Sequence, residues 1–381
     1  MNPGSPVRAG QTSLTDAAAA VQAFHAEIKQ PDMGLVAFFC SRHHDLDAIA
    51  HHMASQFGDV PVVGCTTAGE IGPHGYAEHS LSGFSLSQGA FTSVIGCIDP
   101  VQTFDLADGQ ALIGTLQERL RAMAPEAQQS NTFALMLIDG LSMREEQVTR
   151  TLQSALGRIR LIGGSAGDGM DFERTSVYFN GVFAADRAVI LMVSTCLPFQ
   201  TFKIQHFAPT ERRLVVTQAD SEQRVVQEIN GLPATQAYAE LIGVPANELS
   251  SDHFAAAPLM VLIDGTPYIR SIQKANMDGS LTFFCAIEEG MVLRIAQGSD
   301  LLGNMKQSFK DIQESLGQPQ LTIVFDCILR KLENIRHGCQ GAVAQVFQAN
   351  NAVGLNTYGE QYCGIHVTQT LTGVAIGEAH D

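Results

Sequence analysis

The sequence has little positive charge for its length. Its 381 residues contain 23 Lys and Arg against 39 Asp and Glu, which gives a formal net charge of -16 at pH 7. Binding to nucleic acid or to an anionic membrane surface needs a basic face, and this balance leaves no excess of positive charge to form one. We therefore expect neither nucleic acid nor a membrane among the partners of this chain.

Long apolar runs are also missing. Apolar runs such as AVILMV, which begins at Ala188, are much shorter than the ~20 residues that span a bilayer. The first residues, MNPGSPVRAGQTSLTD, lack the apolar segment of a secretory signal. These two absences predict a cytoplasmic protein.

Cysteine never occurs as a C-x-x-C pair, and tryptophan does not occur at all. Most of the eight cysteines lie in apolar runs such as AFFCS, VIGCI and TFFCAI, where a free cysteine is a common core residue. A chain of this length does not need a disulfide framework. The pattern predicts free thiols in a reducing compartment.

Apolar residues make up 45% of the sequence and follow a recurring order of elements. The short apolar strands GLVAFFCS and VPVVGCT enclose the amphipathic helix HDLDAIAHHMASQF. The segments NTFALMLIDG, MREEQVTRTLQSAL and RLIGGSAGDG repeat this order, and a hairpin is predicted around Asn180 and Gly181. LTIVFDC, HGCQGAVAQVFQAN and NAVGLNTYGEQ repeat it again. The sequence predicts an α/β fold in which repeated strand-helix-strand-hairpin units form mixed sheets with helices outside.

The first 30 residues are predicted to form an arm and one helix. Residues up to about Thr12 have no periodic pattern and are expected to be a loose arm. The alanine-rich segment LTDAAAAVQAFHAEIKQ predicts a helix that begins after an N-cap at Thr15 or Asp16.

Two distant segments of the chain are similar to each other. Residues 63–70, VGCTTAGE, align with residues 353–360, VGLNTYGE, and residues 80–83 align with 370–373 at the same offset of 290. A looser third copy is IGGSAGD at residues 162–168. Such self-similarity indicates a repeated supersecondary unit. The first glycine of each copy is expected where another backbone approaches closely, and the second in a turn with positive φ; these glycines are Gly64, Gly163 and Gly354, then Gly69, Gly167 and Gly359.

The same glycine-rich segments raise the question of catalysis, with Cys65, Thr67 or Ser165 as a nucleophile. None of the segments matches a phosphate-binding loop that leads into a helix. GGSAG is close to G-x-S-x-G, but a nucleophile elbow needs a helix directly after the turn, and DGMDFERTSVYF is not helical in pattern. No adjacent base is indicated either, so we expect that the protein is not an enzyme.

With these units in place, the chain resembles the FIST family of bacterial sensory proteins from about residue 34 to residue 377. VVGCTTAGEI, SLSGFSLS, LIGGSAGD and TSVYFNGVFAADRAVILMV resemble its N-terminal part. VVQEINGLPATQAYAELIG, FDCILRKLE and VGLNTYGEQYCGIHVTQTLTGVAIG resemble its C-terminal part. The resemblance implies an N-terminal arm and helix (residues 1–30), a FIST N domain (31–220) and a FIST C domain (221–381).

The TYGEQY…H…TLTG ending and the length are similar to those of nitric-oxide-sensing haem proteins within the family. This resemblance implies noncovalent haem b that binds nitric oxide, and regulation of a partner histidine kinase in a two-component pathway. Other family members imply the alternative, a sensory module that binds an amino acid or another small metabolite without haem. The resemblance leaves open whether the protein forms a homodimer.

If haem is bound, its iron needs an axial side chain, and the absence of C-x-x-C-H excludes covalent attachment. The candidate ligands are His366, His206 and His253, each with a structural role as the alternative. His366 lies in a loop rich in polar and aromatic residues, whereas the other two precede phenylalanines. The candidate pocket residues are Tyr358, Glu360, Gln361, Tyr362, Arg270 and Arg330, and Arg270, Lys274 or Arg330 would pair with the haem propionates.

The remaining histidines are less suited to this role. His43, Asp47 and His51 share one helix face, which favours a solvated polar surface over a metal site. His25 and His380 lie in the first helix and in the tail, and His337 follows a basic helix with few apolar neighbours.

Overall fold

The computed structural model describes residues 5–378, so His380 lies outside the described residues. Three successive units of similar topology form the body of the protein, and a separate sheet is inserted in the third. No helix within the described part of the chain is both long enough and apolar enough to cross a bilayer.

Units one and two are continuous in sequence. Unit one contains β1 (Val7–Thr12), α1 (Ala17–Ile28), β2 (Met33–Ser41), α2 (Leu46–Phe57), β3 (Val62–Thr67), β4 (Glu70–Gly72), β5 (Gly75–Ala77) and β6 (Leu81–Ser87). Unit two contains β7 (Phe91–Ile98), a 3₁₀ turn (Val101–Thr103), α3 (Leu106–Met123), β8 (Thr132–Ile138), α4 (Glu145–Leu156), β9 (Leu161–Ser165), β10 (Val177–Phe179), β11 (Val182–Ala184) and β12 (Ala188–Thr195). Element for element, the second unit follows the first.

Unit three is interrupted by the insertion. It consists of β13 (Phe199–Ile204) and, after the insertion, α7 (Leu301–Leu316), β22 (Leu321–Cys327), α8 (Ile328–Arg336), α9 (Gln340–Ala349), β23 (Ala352–Thr357), β24 (Glu360–Tyr362), β25 (Ile365–Val367) and β26 (Leu371–Ile376). The insertion contains β14 (Phe207–Asp220), β15 (Val225–Ile229), β16 (Leu232–Pro233), α5 (Ala234–Ile242), a 3₁₀ turn (Ala246–Glu248), α6 (Ser251–Ala256), β17 (Leu259–Ile263), β18 (Thr266–Arg270), β19 (Ile272–Ala275), β20 (Leu281–Phe283) and β21 (Val292–Gly298).

The units exchange their hairpins in a cycle. Each six-stranded sheet has one parallel pair of strands, two antiparallel strands of its own unit and the short hairpin of another unit. Hairpin β4–β5 of unit one pairs with β23 of unit three, β24–β25 of unit three pairs with β9 of unit two, and β10–β11 of unit two pairs with β3 of unit one. The predicted α/β fold with mixed sheets is confirmed, and the exchange makes the three units interdependent.

One apolar core fills the space between the three sheets. It contains Phe39 and Cys65 of unit one, Ile162 of unit two, and Phe325 and Leu355 of unit three. The helices cover the outer faces: α1 and α2, α3 and α4, and α7 and α9 each pack over the sheet of their own unit. This arrangement confirms the prediction that the helices lie outside the sheets.

The insertion folds as an eight-stranded sheet with its own apolar core around Leu214, Tyr238 and Phe283. The boundary predicted between residues 220 and 221 falls between β14 and β15, which pair with each other in this sheet. The insertion contacts the body through α8 and through Arg224, whose guanidinium bonds Glu145 at 2.5 Å and Glu146 at 2.7 Å.

The N-terminal arm differs from its prediction. Residues 7–12 form strand β1, which pairs with residues 81–86 of β6, because this antiparallel partner supplies the order that a polar sequence lacks by itself. The helix after it begins as predicted, and the side chain of Asp16 accepts a hydrogen bond from the amide of Ala19 at 2.8 Å.

The first glycine of each copy lies where predicted. A Cβ at Gly64, Gly163 or Gly354 would be 2.6, 2.3 or 1.7 Å from a carbonyl oxygen of the neighbouring strand. The prediction for the second glycine is correct at Gly69, where φ is +137°, and wrong at Gly167 and Gly359, which do not have positive φ. These two are glycines because other chain segments approach them: the amide nitrogen of Ala68 lies 2.7 Å from a Cβ at Gly167, and His366 Cε1 lies 2.3 Å from one at Gly359.

Candidate functional site

The carboxyl ends of β2 and β3 open into a cavity of about 270 Å³, which we call the crevice. Ligands of open α/β sheets commonly bind outside the carboxyl ends of the strands. Its walls come from all three units: Ser41, His43, Thr67, Ala68, Gly69, Glu70, Glu78, His79, Asp168, Gly169, Met170, Asp171, Ile328, Lys331, Leu332 and Ile335. The exchange of segments between units therefore builds this cavity.

Lys331 is the central cation of the crevice. Its Nζ donates to the carbonyl oxygen of Ala68 at 3.0 Å and to Oε1 of Glu78 at 2.9 Å. Lys331 is buried, whereas the side chain of Glu78 is 64% exposed. At the mouth, the rings of His43 and His79 meet edge to face at 4.1 Å.

Glu70 forms the floor beside Lys331. Its carboxylate accepts hydrogen bonds from the hydroxyls of Thr67 and Ser80, and burial raises its pKa to about 7. Unit three repeats the arrangement: Glu360 accepts from Thr357 and Thr370, and burial raises its pKa to about 8. Thr and Glu recur in the two copies because both copies form the same turn, which these side chains stabilise by hydrogen bonds.

These two buried carboxyls predict a pH dependence of stability. Because their pKa values are raised above the usual 4.5, the folded state binds more protons than the unfolded state between about pH 4.5 and pH 8. Their contribution to the free energy of unfolding is fully present below that window and is lost as the pH rises through it. We expect E70Q/E360Q to lose less stability between pH 5 and pH 8 than the wild type in urea unfolding. The exposed Glu314→Gln is the control, and parallel profiles for E70Q/E360Q and the wild type would contradict the assignment.

A second cavity, of about 470 Å³, lies between the inserted sheet and α8; we call it the cleft. Its walls are Phe207, Thr210, Arg212, Ala256, Ala257, Ile295, Ala296, Gln297, Gly298, Ser299, Glu333, Arg336 and His337. Arg212 and Arg336 are exposed, and neither pairs with a carboxylate among residues 5–378. Each donates from Nη1 to a backbone carbonyl, of Leu241 at 2.8 Å and of Asp252 at 3.4 Å, and Nη2 of Arg336 lies 3.5 Å from Nε2 of His337. His337 caps the carboxyl end of α8 and is exposed.

His206 is buried in a network of charged side chains. Its Nε2 lies 2.9 Å from Oε1 of Glu333, and its Nδ1 lies 3.3 Å from Nη1 of Arg330. Arg330 in turn donates from Nε to Asp326 at 2.9 Å. Both ring nitrogens of His206 therefore have protein partners, and Arg330 is occupied by an internal carboxylate.

His366 is buried between the body and the inserted sheet. Its Nδ1 lies 3.3 Å from the side-chain nitrogen Nε2 of Gln361, and its own Nε2 has no hydrogen-bond partner among the described residues. Burial lowers its pKa to about 4, so the ring is neutral at pH 7. It lines neither the cleft nor the crevice.

The other predicted residues do not form one pocket. His253 is half-buried on the short helix α6, with Nδ1 2.9 Å from the hydroxyl of Ser250. Tyr358 points to Asp168 and stacks on Phe172. Gln361 donates to Ser165 at 2.8 Å, Tyr362 packs against the central core, and Arg270 is buried and donates to the carbonyl of Ile269. Successive residues of a strand point to opposite faces, which separates neighbours in sequence.

The sequence reasoning missed Lys331 and Glu78, and it discounted His337. The spacing of Ile328, Leu332 and Ile335 could have shown that Lys331 shares the apolar face of a helix. No group of three or more His, Cys, Asp or Glu side chains in residues 5–378 is arranged to hold a metal ion. His43, Asp47 and His51 are therefore not arranged as a metal site.

Comparison with known proteins gives the family. Two solved structures are similar over most of the chain: a cyanuric acid hydrolase (9% identity, 97% of this chain and 99% of that one, TM-score 0.37) and a chorismatase (8% identity, 91% and 94%, TM-score 0.34). No curated protein matches. Residues 34–232 match the FIST N domain and residues 234–363 match the FIST C domain. The chain therefore belongs to the FIST family, whose domains indicate a sensory signalling module.

Proposed function

We propose that this protein is a sensor that binds haem b noncovalently, binds nitric oxide at the haem iron and regulates a partner histidine kinase in a two-component pathway. The resemblance of its C-terminal segment to NosP, a nitric-oxide-sensing haem protein of this family, motivates the proposal. The cleft is the observation that carries it, because it joins an imidazole, apolar walls and two guanidinium groups that have no carboxylate partner among residues 5–378.

The residues of the cleft offer the chemistry that a haem group needs. The cavity of about 470 Å³ is within the usual range for ligand sites, ~300–1,000 Å³. Phe207, Ile295 and Ala256 provide apolar surface, and Arg212 and Arg336 would bind two propionates with the N–H groups that their backbone contacts leave available. His337 would hold the haem iron, since histidine is a common protein ligand of haem iron. Bound ferrous haem would supply the metal centre that takes up nitric oxide.

Among the three histidines predicted as ligands, none is as accessible to a haem as His337. His206 has partners at both nitrogens, and His366 is buried with only one orphaned nitrogen. His253 lies on the same short helix as Ala256, so it is the alternative ligand nearest to the cleft in sequence.

We propose binding rather than catalysis as the activity. Cys65 is fully buried, and burial raises the pKa of its thiol, which disfavours the reactive thiolate. The hydroxyl of Ser165 accepts a hydrogen bond from Gln361, and that of Thr67 donates to Glu70. All three candidate nucleophiles are therefore either buried or hydrogen-bonded to other side chains, as residues with a structural role are.

The full-length protein titrated with hemin is expected to develop a Soret band that shifts when nitric oxide is added after reduction. His337→Ala should weaken haem binding by more than about tenfold, which corresponds to the loss of one coordinate bond worth at least ~1.4 kcal/mol. His253→Ala tests the alternative ligand and should bind as the wild type does. Haem binding lost in H253A, H206A or H366A but kept in H337A would overturn the ligand assignment, and a wild type that takes up no haem would overturn the function.

A further inference from the structure

We propose that the crevice is a second ligand site, and that it binds a small monocarboxylate with an apolar body. This inference does not depend on haem, because the crevice and the cleft lie on different faces of α8. Ile328, Lys331, Leu332 and Ile335 face the crevice, whereas Glu333, Arg336 and His337 face the cleft.

The size and apolar wall of the crevice limit the ligand. Water occupies ~30 Å³ per molecule in the liquid, so 270 Å³ corresponds to about nine water-sized groups. Ile328, Leu332 and Ile335 form one stripe along α8, and Met170 faces them from the unit-two loop. Ile335 is 45% exposed and Met170 is 54% exposed. This exposed apolar surface favours a ligand with a small hydrocarbon body.

The hydrogen-bond donors that the crevice has available indicate the charge of the ligand's polar group. Lys331 has three N–H donors and uses two of them on Ala68 and Glu78. The imidazoles of His43 and His79 lie at the mouth, and Nδ1 of His43 is 3.1 Å from Oγ of Ser41. The third N–H of Lys331 is therefore the charged donor that the crevice offers to a ligand.

The buried acidic side chains of the crevice, by contrast, are already engaged, whereas Glu78 and Asp171 are exposed. Both oxygens of Glu70 accept hydrogen bonds from protein groups. Asp168 accepts from Arg42, Tyr358 and three backbone amides, and Asp171 lies 3.9 Å from Arg42. A cationic ligand would find few free acceptors, whereas a carboxylate would complete the coordination of Lys331.

Glu78 occupies the place that the ligand's carboxylate would take. It reaches Lys331 from the loop after β5, yet its side chain is 64% exposed, so it is free to move into solvent. Because Glu78 is exposed, another carboxylate can replace it beside the buried Lys331. Gly69 keeps the space at the cation open, since a Cβ there would lie 2.6 Å from Nζ of Lys331.

Isothermal titration of the full-length protein with 4-methylpentanoate tests this site, with 4-methylpentanamide as the uncharged probe and inorganic phosphate as the anion without an apolar body. We expect binding of the carboxylate and at least about tenfold weaker binding of the other two, as expected when one charge-assisted hydrogen bond or the apolar contact is missing. Equal affinity for all three probes, or no binding of 4-methylpentanoate, would overturn the proposal.

Variants separate a ligand site from a structural ion pair. Lys331→Met should abolish carboxylate binding, and Glu78→Gln should strengthen it several-fold because the internal competitor loses its charge. Lys310→Met, at an exposed pair with Glu314, is the matched control and should bind as the wild type does. If K331M does not fold, Ile335→Asp at the exposed wall should weaken binding by about tenfold through charge repulsion. Unchanged binding in I335D, or weaker binding in E78Q, would contradict the assignment.

Discussion

Arg330→Met is expected to lower the free energy of unfolding by about 3–5 kcal/mol, the usual cost of removing one partner of a buried ion pair. Arg330 and Asp326 are each 1% exposed, and Nε of Arg330 donates to Oδ1 of Asp326 at 2.9 Å. Methionine keeps the apolar stem of the arginine, so the decrease in the free energy of unfolding measures the removal of the charge rather than of side-chain volume.

The cost is large because Asp326 joins two units. It also accepts a hydrogen bond from the hydroxyl of Tyr76, which belongs to the hairpin that unit one inserts into the sheet of unit three. Without Arg330, this carboxylate remains buried with only neutral donors, and His206 and Glu333 lose the cation beside them. The anchoring of α8, which borders both the crevice and the cleft, depends on the same network.

Urea unfolding at pH 5 and pH 8 measures this effect. Burial already raises the pKa of Asp326, and the loss of Arg330 will raise it further. A carboxyl whose folded pKa is raised stabilises the protein less as the pH increases, so the deficit of R330M should be larger at pH 8 than at pH 5. Arg336→Met, at an exposed position of the same helix, should stay within about 0.5 kcal/mol of the wild type. A deficit of R330M below about 1 kcal/mol at both pH values would refute the role of the pair.

The order of the strands and helices was predictable because each element is specified by residues that are close together in sequence. Apolar runs and the 290-residue offset identify the strands, the helices and the repeat, since each depends on residues adjacent in sequence. The exchange of hairpins was not predictable. Its strands, such as Glu70–Gly72, are three residues long, and their partners lie hundreds of residues away, so no local pattern specifies the pairing.

The candidate site was predictable only in part, for the same reason. Tyr358, Glu360, Gln361 and Tyr362 are adjacent in sequence, yet the end of β23 and the start of β24 direct them to different surroundings. Lys331 lies 263 residues from Ala68, and only the packing of unit three on unit one brings them together. His206 was chosen for its apolar neighbours in sequence and proved to be buried, because apolar neighbours predict burial as readily as a ligand pocket.

Substitution of a repeat glycine is expected to have the second large effect on the free energy of unfolding, after that of Arg330→Met. Gly354→Ala is expected to reduce the free energy of unfolding by more than about 4 kcal/mol, at the upper end of single substitutions. Its Cβ would lie 1.7 Å from the carbonyl oxygen of Val324, the residue opposite on the parallel partner strand β22. Backbone cannot rotate away as a flexible side chain does, so β22 and β23 must separate at the centre of the sheet.

Gly114→Ala provides a control of opposite sign. Gly114 lies in the middle of α3, and a Cβ there would have no described atom within 4 Å outside the helix's own backbone. Alanine in a helix interior is more favourable than glycine by about 0.5–1 kcal/mol, so G114A should raise the free energy of unfolding by that amount. Urea unfolding of both variants, with unchanged slope for G114A, measures the difference. If G354A unfolded within 1 kcal/mol of the wild type, the close contact of β22 and β23 would not be the reason that the repeat has glycine at this position, and the equivalent explanation for Gly64 and Gly163 would fail with it.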